Sequence, residues 1–252
     1  MKLTRKYQWL VTVLVLAMLT VSFSLSAAFI IPVSTEKRQA ENDDVEIGLI
    51  VVEHYASDNP NKKHPKDETP KCYATFSFWR EQDLPRSYSI NPAGSGMSTS
   101  EVFSAITAAA ETWDDATSTE LFDDNPGTTT KAGAIYDGTT TMSFGDYDTP
   151  GVIAVCYLWY IQTGKPSTRY MIEFDIMFDT DYTWGDSKAE PDPVMDLQGI
   201  ATHEIGHGLA MDDIYEDTCS EVTMYGYSWP DDVEKRTLEP ADIEGLQKLY
   251  GA

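Results

Sequence analysis

The chain has 252 residues, of which 42% are hydrophobic and 12% aromatic, and its formal net charge is −23. This composition is that of a globular protein with a sizeable core. The large excess of acids repels nucleic acid and anionic lipid, so it argues against nucleic acid as a partner.

The first 28 residues have the pattern of a targeting segment. Lys2, Arg5 and Lys6 precede an apolar run over residues 9–25, and Ser26-Ala27-Ala28 follows it. A basic start, an apolar centre and small residues at the end predict a secretory signal peptide over residues 1–28, hence a secreted protein. Because the apolar run approaches membrane-spanning length, an uncleaved anchor at the cell surface is the alternative, and it is the one membrane contact we expect.

Residues 29–71 are polar and interrupted by prolines, which predicts a leader or prosegment with one possible strand over residues 47–52. Residues 72–252 then suit a single domain, which we expect to be monomeric. Of the three cysteines, Cys156 lies in an apolar run and is expected to be a buried thiol. Cys72 and Cys219 lie in polar surroundings, so we expect them to form a disulfide.

Strands and helices alternate along the predicted domain. Tyr88 and Ile90 alternate with polar neighbours as in a half-buried strand, and Ser98 with Glu101 forms a capping box that opens a helix. The apolar face of that helix is predicted to carry Val102, Ile106, Ala109 and Trp113. Four further strands are predicted over residues 132–136, 140–144, 152–160 and 170–178. This order predicts an α/β (α+β) fold with a twisted mixed sheet and two later helices.

The motif His203-Glu204-Ile205-Gly206-His207 carries the predicted chemistry. On a helix, residues i and i+4 share one face, so both imidazoles can bind one metal ion. Zn²⁺ with an open position lowers the pKa of its bound water to near 7, and Glu204 beside that water could act as general base and then general acid. The alternative is an ordinary packing helix. Against it, the chain has only four histidines, two of them lie here, and the helix has a separate apolar face.

A third protein ligand is needed, and no histidine follows His207. Here the sequence resembles the metzincin zinc proteases, whose pattern is H-E-x-x-H-x-x-G-x-x-H or ends in Asp. Aligned on His203, the resemblance implies Asp213 as the third ligand, with the adjacent Asp212 as the alternative. Ala210 replaces the family's glycine, whose positive φ costs a residue with a Cβ about 1 kcal/mol.

The resemblance extends over residues 79–251 and is to the matrixin branch. Met224 and Tyr225 match the Met-turn, which implies that they support the site, although Gly226 replaces the usual proline. The segment beginning at Leu238 resembles the closing helix, with Pro240 near its start. The resemblance implies a metzincin-type zincin catalytic domain with an active-site helix and a C-terminal helix. It also implies that residues 151–157 form an edge strand to which a peptide substrate adds.

The prosegment motif of matrixins, P-R-C-G-x-P, is absent from this chain. Structural calcium, which related enzymes use, could bind at the acidic clusters, but solvated acids are the favoured interpretation because no EF-hand-like spacing is present. These clusters are Asp146 with Asp148, and Asp175 with Asp179, Asp181 and Asp186.

The sequence thus predicts a secreted zinc-dependent endopeptidase that acts on peptides or proteins. A first alternative is a zincin whose third ligand is a glutamate from a second helix. Its candidates, Glu221, Glu234 and Glu239, lie in turn-rich or pre-helical contexts. A second alternative is a catalytically silent metal-binding or adhesion module of the same fold.

Overall fold

The computed structural model describes residues 45–56, 71–165 and 168–252. The predicted signal peptide or anchor over residues 1–28 lies outside the described residues, and so does most of the predicted leader. The eleven described strands are β1 (Val45–Ala56), β2 (Ala74–Thr75), β3 (Tyr88–Ile90), β4 (Gly127–Thr128), β5 (Thr140–Gly145), β6 (Val152–Thr163), β7 (Tyr170–Asp179), β8 (Trp184–Gly185), β9 (Met195–Asp196), β10 (Met211–Asp212) and β11 (Tyr227–Ser228). The described α-helices are α1 (Thr99–Asp114), α2 (Leu197–Gly208) and α3 (Pro240–Tyr250).

Seven of these strands form one mixed sheet in the order β11-β1-β6-β7-β5-β3-β4. Strand β1 pairs antiparallel with β6 and parallel with β11, whereas β7, β5, β3 and β4 run parallel to one another. The predicted α/β fold with a mixed sheet, an active-site helix and a C-terminal helix is therefore confirmed.

Strand β6 was expected to be an edge strand, but both of its edges are paired. Its partners are β7 on one side and β1 on the other. The possible strand over residues 47–52 is thus a longer strand, and it covers the edge that was expected to receive a substrate.

The helices place the predicted apolar residues in the core. Ser98 caps α1 together with Glu101, as predicted, and Val102, Ile106, Ala109 and Trp113 are all buried. Helix α1 packs against α2, and the Trp113 indole donates a hydrogen bond of 2.8 Å to the Thr202 carbonyl oxygen. Helix α2 in turn packs against β6 and β7, so the candidate site lies over the centre of the sheet.

The prediction of a strand over residues 132–136 is wrong, because this segment has no strand structure. Its backbone groups are bound by buried carboxylates of β7 instead of a neighbouring strand. The Ile135 N–H donates to Asp175 at 2.9 Å, and directly after the segment the Asp137 N–H donates to Glu173 at 2.9 Å. A side-chain acceptor has therefore replaced the strand ladder.

The cysteine predictions are confirmed. Cys72 and Cys219 form a disulfide that closes a long loop, with 147 residues of sequence separation. Cys156 is a buried free thiol. The bridge ties the segment before β2 to the loop that precedes Met224 and so stabilises the loop under the candidate site. No helix in the described parts of the chain is long and apolar enough to span a bilayer.

Candidate metal centre

Helix α2 is held tightly by its surroundings. Its N-cap residue Asp196 accepts a hydrogen bond of 2.8 Å from the Gly199 N–H, and Arg236 binds the same carboxylate. Every residue of the helix except Gln198 is buried. At Gly206 a Cβ would lie 2.3 Å from the Met224 sulfur, so only glycine allows this close contact. The helix is therefore a rigid base for the side chains that it carries.

His203 and His207 point their Nε2 atoms at each other across 3.1 Å. The Nδ1 atom of His203 lies 2.8 Å from the Thr223 carbonyl oxygen, and that of His207 lies 3.0 Å from the Met211 carbonyl oxygen. A carbonyl can only accept, so Nδ1 carries the proton in both rings. In the neutral form of each ring, Nε2 presents a lone pair, and two facing lone pairs in a buried place call for a cation between them, either a proton or a metal ion.

Asp213 completes a triangle of donor atoms with the two histidines. Its Oδ1 lies 3.2 Å from Nε2 of His203 and 3.4 Å from Nε2 of His207. The chain reaches this position through Ala210, which adopts the positive φ of 67° that the family's glycine would provide. Asp212, the alternative ligand, is exposed and accepts a hydrogen bond from the Asp213 N–H. The geometry thus favours Asp213.

The three donor atoms fit a zinc ion. Four ligands at about 2.0–2.1 Å from a tetrahedral ion lie about 3.3–3.4 Å apart. The three separations here are 3.1, 3.2 and 3.4 Å. Among the described residues, Asp213 Oδ1 accepts no hydrogen bond of good geometry and faces the two imidazole nitrogens, as expected for an oxygen that shares a metal ion with them. Two imidazoles and one carboxylate leave the fourth position open, which is typical of catalytic zinc sites.

The pKa values of the two histidines also indicate that this cluster holds a cation. Burial alone would lower the pKa of His207, but the Asp213 carboxylate and other acceptors raise it to about 9. Burial lowers the pKa of His203 to about 4 against the opposing effect of Asp213. The metal-free cluster thus keeps a proton on His207, and a metal ion would have to displace it.

Glu204 lies beside this triangle and is fully buried. Burial raises the pKa of its carboxyl to about 8, which suits a group that both takes up and releases a proton near neutral pH. Its Oε2 has no hydrogen-bond partner among the described residues. One carboxylate oxygen is thus available for a reacting group.

Sequence reasoning missed His54, which β1 brings into the site. Its Nδ1 lies 3.1 Å from Glu204 Oε1, its Nε2 lies 3.1 Å from the Ser228 hydroxyl, and its ring centroid lies 3.9 Å from that of His203. His54 is fully buried, and burial lowers its pKa well below the usual value, so the ring is neutral. Its rarity was the available signal, since the chain has four histidines.

The segment around Met224 lies against the helix that carries the histidines. Met224 is fully buried beside Gly206, and the Thr223 and Met224 N–H groups donate to the Asp242 carboxylate at 2.9 and 3.3 Å. Tyr225 is also buried and packs away from solvent with Ile214. Both predicted supporting residues thus lie next to the candidate site.

The acidic clusters are only partly assembled. Carboxylate oxygens of Asp146, Asp179 and Asp181 lie within 4.8 Å of one another. Asp175 accepts hydrogen bonds from the 131–141 segment, and Asp186 pairs with Arg236. The four acids Asp175, Asp179, Asp181 and Asp186 are therefore not brought together as one set, because Asp175 and Asp186 bind protein groups elsewhere.

Comparison with known families agrees with this geometry. The family model described as Matrixin matches residues 78–251. No curated protein matches the chain. The match covers more than half of the sequence and contains the histidine motif, Asp213 and Met224, so this chain belongs to the matrixin family of metallopeptidases.

Proposed function

We propose that this chain is a secreted zinc-dependent endopeptidase. The observation that carries the proposal is the triangle formed by His203, His207 and Asp213, with Glu204 beside it. Bound there, Zn²⁺ would polarise the scissile carbonyl and lower the pKa of a water molecule. The three ligands would hold the ion, and Met224 would support the helix that carries two of them.

Glu204 would accept the proton of the attacking water and deliver it to the leaving amine. Its burial supports this role. Burial raises the pKa of the Glu204 carboxyl, and the carboxylate of an acid with a higher pKa is a stronger base. The peptide substrate would be held as an extra strand by main-chain hydrogen bonds to the edge of β6 that β1 now covers, so β1 would first have to leave that edge. We expect a protein or peptide substrate and a monomeric enzyme.

Residues 1–28 would direct secretion or anchor the chain, residues 29–71 would form a prosegment, and residues 72–252 would form the catalytic domain. Sequencing the N-terminus of the secreted product tests these boundaries. A start near residue 29 or 72 supports them, and a start well inside residues 78–251 contradicts them.

The activity test uses the full chain with a recognition sequence for a specific protease in place of residues 61–66. We expect the zinc-loaded protein, once cut at this sequence, to cleave a peptide library, and we expect a zinc chelator to stop the reaction. A matched Glu204→Gln variant should bind the same amount of zinc and lose at least about a hundredfold in kcat.

A catalytically silent metal-binding module is the second candidate. The observation that supports it is that the His54 ring already contacts the Glu204 carboxylate, with Nδ1 3.1 Å from Oε1. This candidate gains if the cut, zinc-loaded chain cleaves no peptide. Near-wild-type cleavage by the Glu204→Gln variant would instead contradict the proposed role of Glu204.

A further inference from the structure

We propose that the cleft beside β6 is a binding site for the chain's own residues 45–56, and that this strand must leave before a peptide substrate can bind. This inference rests on the proposed peptidase function. It concerns a segment that lies outside the matrixin match over residues 78–251.

The main-chain pairing of β1 is the first argument. The strand pairs antiparallel with β6 from Val45 opposite Thr163 to His54 opposite Ala154. At its far end it pairs parallel with β11, where Tyr55 lies opposite Tyr227. The strand therefore lies between β6 and the segment that follows Met224. It uses the hydrogen-bonding groups that an added peptide strand would need.

The side chains of β1 reach the reacting groups. His54 contacts the carboxylate of Glu204 at 3.1 Å and stacks near His203, with both ring nitrogens engaged. The next residue back, Glu53, accepts hydrogen bonds from Tyr147 at 2.6 Å and Tyr55 at 2.5 Å. His54 thus fills the place next to Glu204 where a water molecule and a scissile bond would have to approach.

The fit at the other end of the strand is close but does not involve the site. Gly48 lies against the ring of Tyr160, and a Cβ there would be 2.2 Å from Tyr160 Cζ. Gly48→Val should therefore weaken docking of the strand without touching Glu204. The exposed Val51 provides a matched control on the same strand.

The test uses the full chain with the protease site at residues 61–66 and a dye-labelled synthetic peptide of residues 45–56. After the cut, we expect the segment to dissociate, the domain to keep its circular dichroism spectrum, and the labelled peptide to bind again. The His54→Ala and Gly48→Val peptides should bind at least about tenfold more weakly than the wild-type peptide, and the Val51→Ala peptide should bind equally well.

Peptidase activity gives a second readout. Activity should rise at least about tenfold on cutting, and added peptide should raise KM without changing kcat. The inference is overturned if the cut segment stays bound, if the domain unfolds on losing it, or if the bound peptide leaves cleavage unchanged. Peptide binding is measured separately, by fluorescence anisotropy. If the uncut chain, the cut chain and the cut chain with added peptide all lack peptidase activity, the proposed function fails, and the binding measurement still tests whether the segment docks in the cleft.

A separate observation concerns the metal ligand itself. We infer that Tyr215 is a positioning residue for Asp213 and that Gly226 is the residue that makes room for it. The Tyr215 hydroxyl donates a hydrogen bond of 2.9 Å to Asp213 Oδ2, while Oδ1 faces the two histidines. A partner on the distal oxygen fixes which oxygen a carboxylate presents to a metal.

The ring of Tyr215 passes directly over the backbone of Gly226. A Cβ at Gly226 would lie 2.4 Å from Tyr215 Cε1 and 2.7 Å from Cζ. Two features of this chain, an aspartate at the third ligand position and a glycine in place of the usual proline after Tyr225, are thus joined by one side chain.

A double-mutant cycle on zinc affinity tests this link. Tyr215→Phe should weaken zinc binding about 10–100-fold in competition with a chelator and alter the visible spectrum of the Co²⁺-substituted protein. The control Tyr136→Phe, at an exposed tyrosine, should leave both unchanged. Gly226→Ala should weaken zinc binding when Tyr215 is present and have little effect in a Tyr215→Ala background. An equal effect of Gly226→Ala in both backgrounds would overturn the inference.

Discussion

The carbonyl oxygen of Thr223 joins His203 to Lys235. It accepts one hydrogen bond from the His203 ring at 2.8 Å and another from the Lys235 ammonium at 2.9 Å. Lys235 also binds the Tyr225 carbonyl, and it is buried, which lowers its pKa to about 8. This lysine therefore fixes the loop that orients a candidate metal ligand.

We predict that Lys235→Met weakens zinc binding about 10–100-fold, because the loop loses the donor that holds the Thr223 carbonyl. It should also lower the free energy of unfolding by about 1.5–3 kcal/mol, the usual effect of losing a hydrogen bond to a charged group. Chelator competition and urea denaturation measure the two effects. Lys248→Met, at an exposed lysine on α3, is the control, and equal losses in the two variants would contradict the assigned role.

The neighbouring aspartates give a second prediction. Asp213→Ala should reduce zinc affinity more than about a hundredfold, because an oxygen that completes the triangle is lost. Asp212→Ala should keep near-wild-type affinity, since its carboxylate is exposed and accepts a local hydrogen bond from the Asp213 N–H. Isothermal titration with zinc compares them. If Asp212→Ala instead loses more zinc affinity than Asp213→Ala, the third ligand is Asp212.

A third prediction concerns the packing of α2. A Cβ at Gly206 would meet the Met224 sulfur at 2.3 Å and the Trp113 ring at 2.7 Å. Gly206→Ala should therefore lower the free energy of unfolding by at least about 1–3 kcal/mol, despite the better helix propensity of alanine. Gln198→Ala, at the half-buried position of the same helix, should change it by less than about 0.5 kcal/mol. Urea denaturation separates these cases, and a stabilised Gly206→Ala variant would show that the contact is not tight.

A fourth prediction concerns pH and Asp175. Burial raises the pKa of this carboxyl to about 7, although the Ile135 and Thr141 N–H groups oppose the shift. The unfolded-state pKa is about 3.9, so this group favours the folded state most at low pH. Its contribution is fully present below about pH 4 and is lost as the pH rises through about 7.

The free energy of unfolding should therefore fall between pH 4.5 and 7.5, with Asp175 contributing a slope of at most about 1.4 kcal/mol per pH unit. Urea denaturation at several pH values should show a flatter dependence for Asp175→Asn than for the wild type. The exposed Asp148→Asn should keep the wild-type slope. An unchanged slope in Asp175→Asn would contradict the raised pKa.

Much of the fold was predictable because its signals are local. The capping box at Ser98, the alternation in β7 and the histidine spacing in α2 each lie within a few residues of one another. The candidacy of Asp213 came from the resemblance to the metzincin pattern, and the positive φ of Ala210 shows that the chain keeps the family's turn without the glycine. The choice between Asp212 and Asp213 needed coordinates, because pairing of β10 with β2 decides which carboxylate turns inward.

The features that escaped prediction depend on distant residues. The segment over residues 132–136 has a strand-like composition, but acceptors on β7, about 40 residues later, bind its backbone. His54 lies 150 residues before Glu204, and nothing near it in sequence indicates that β1 ends in the site. Tyr215 reaches Asp213 over only two residues, yet its ring lies where it does because residue 226 has no side chain.

The central claim is that one zinc ion binds between His203, His207 and Asp213. Anomalous diffraction at the zinc absorption edge, from crystals of the zinc-loaded full chain, tests it most directly. We predict one strong peak about 2.0–2.2 Å from Nε2 of His203, Nε2 of His207 and Oδ1 of Asp213. A peak elsewhere, or one at the histidines with the Asp213 carboxylate turned away, would contradict the claim.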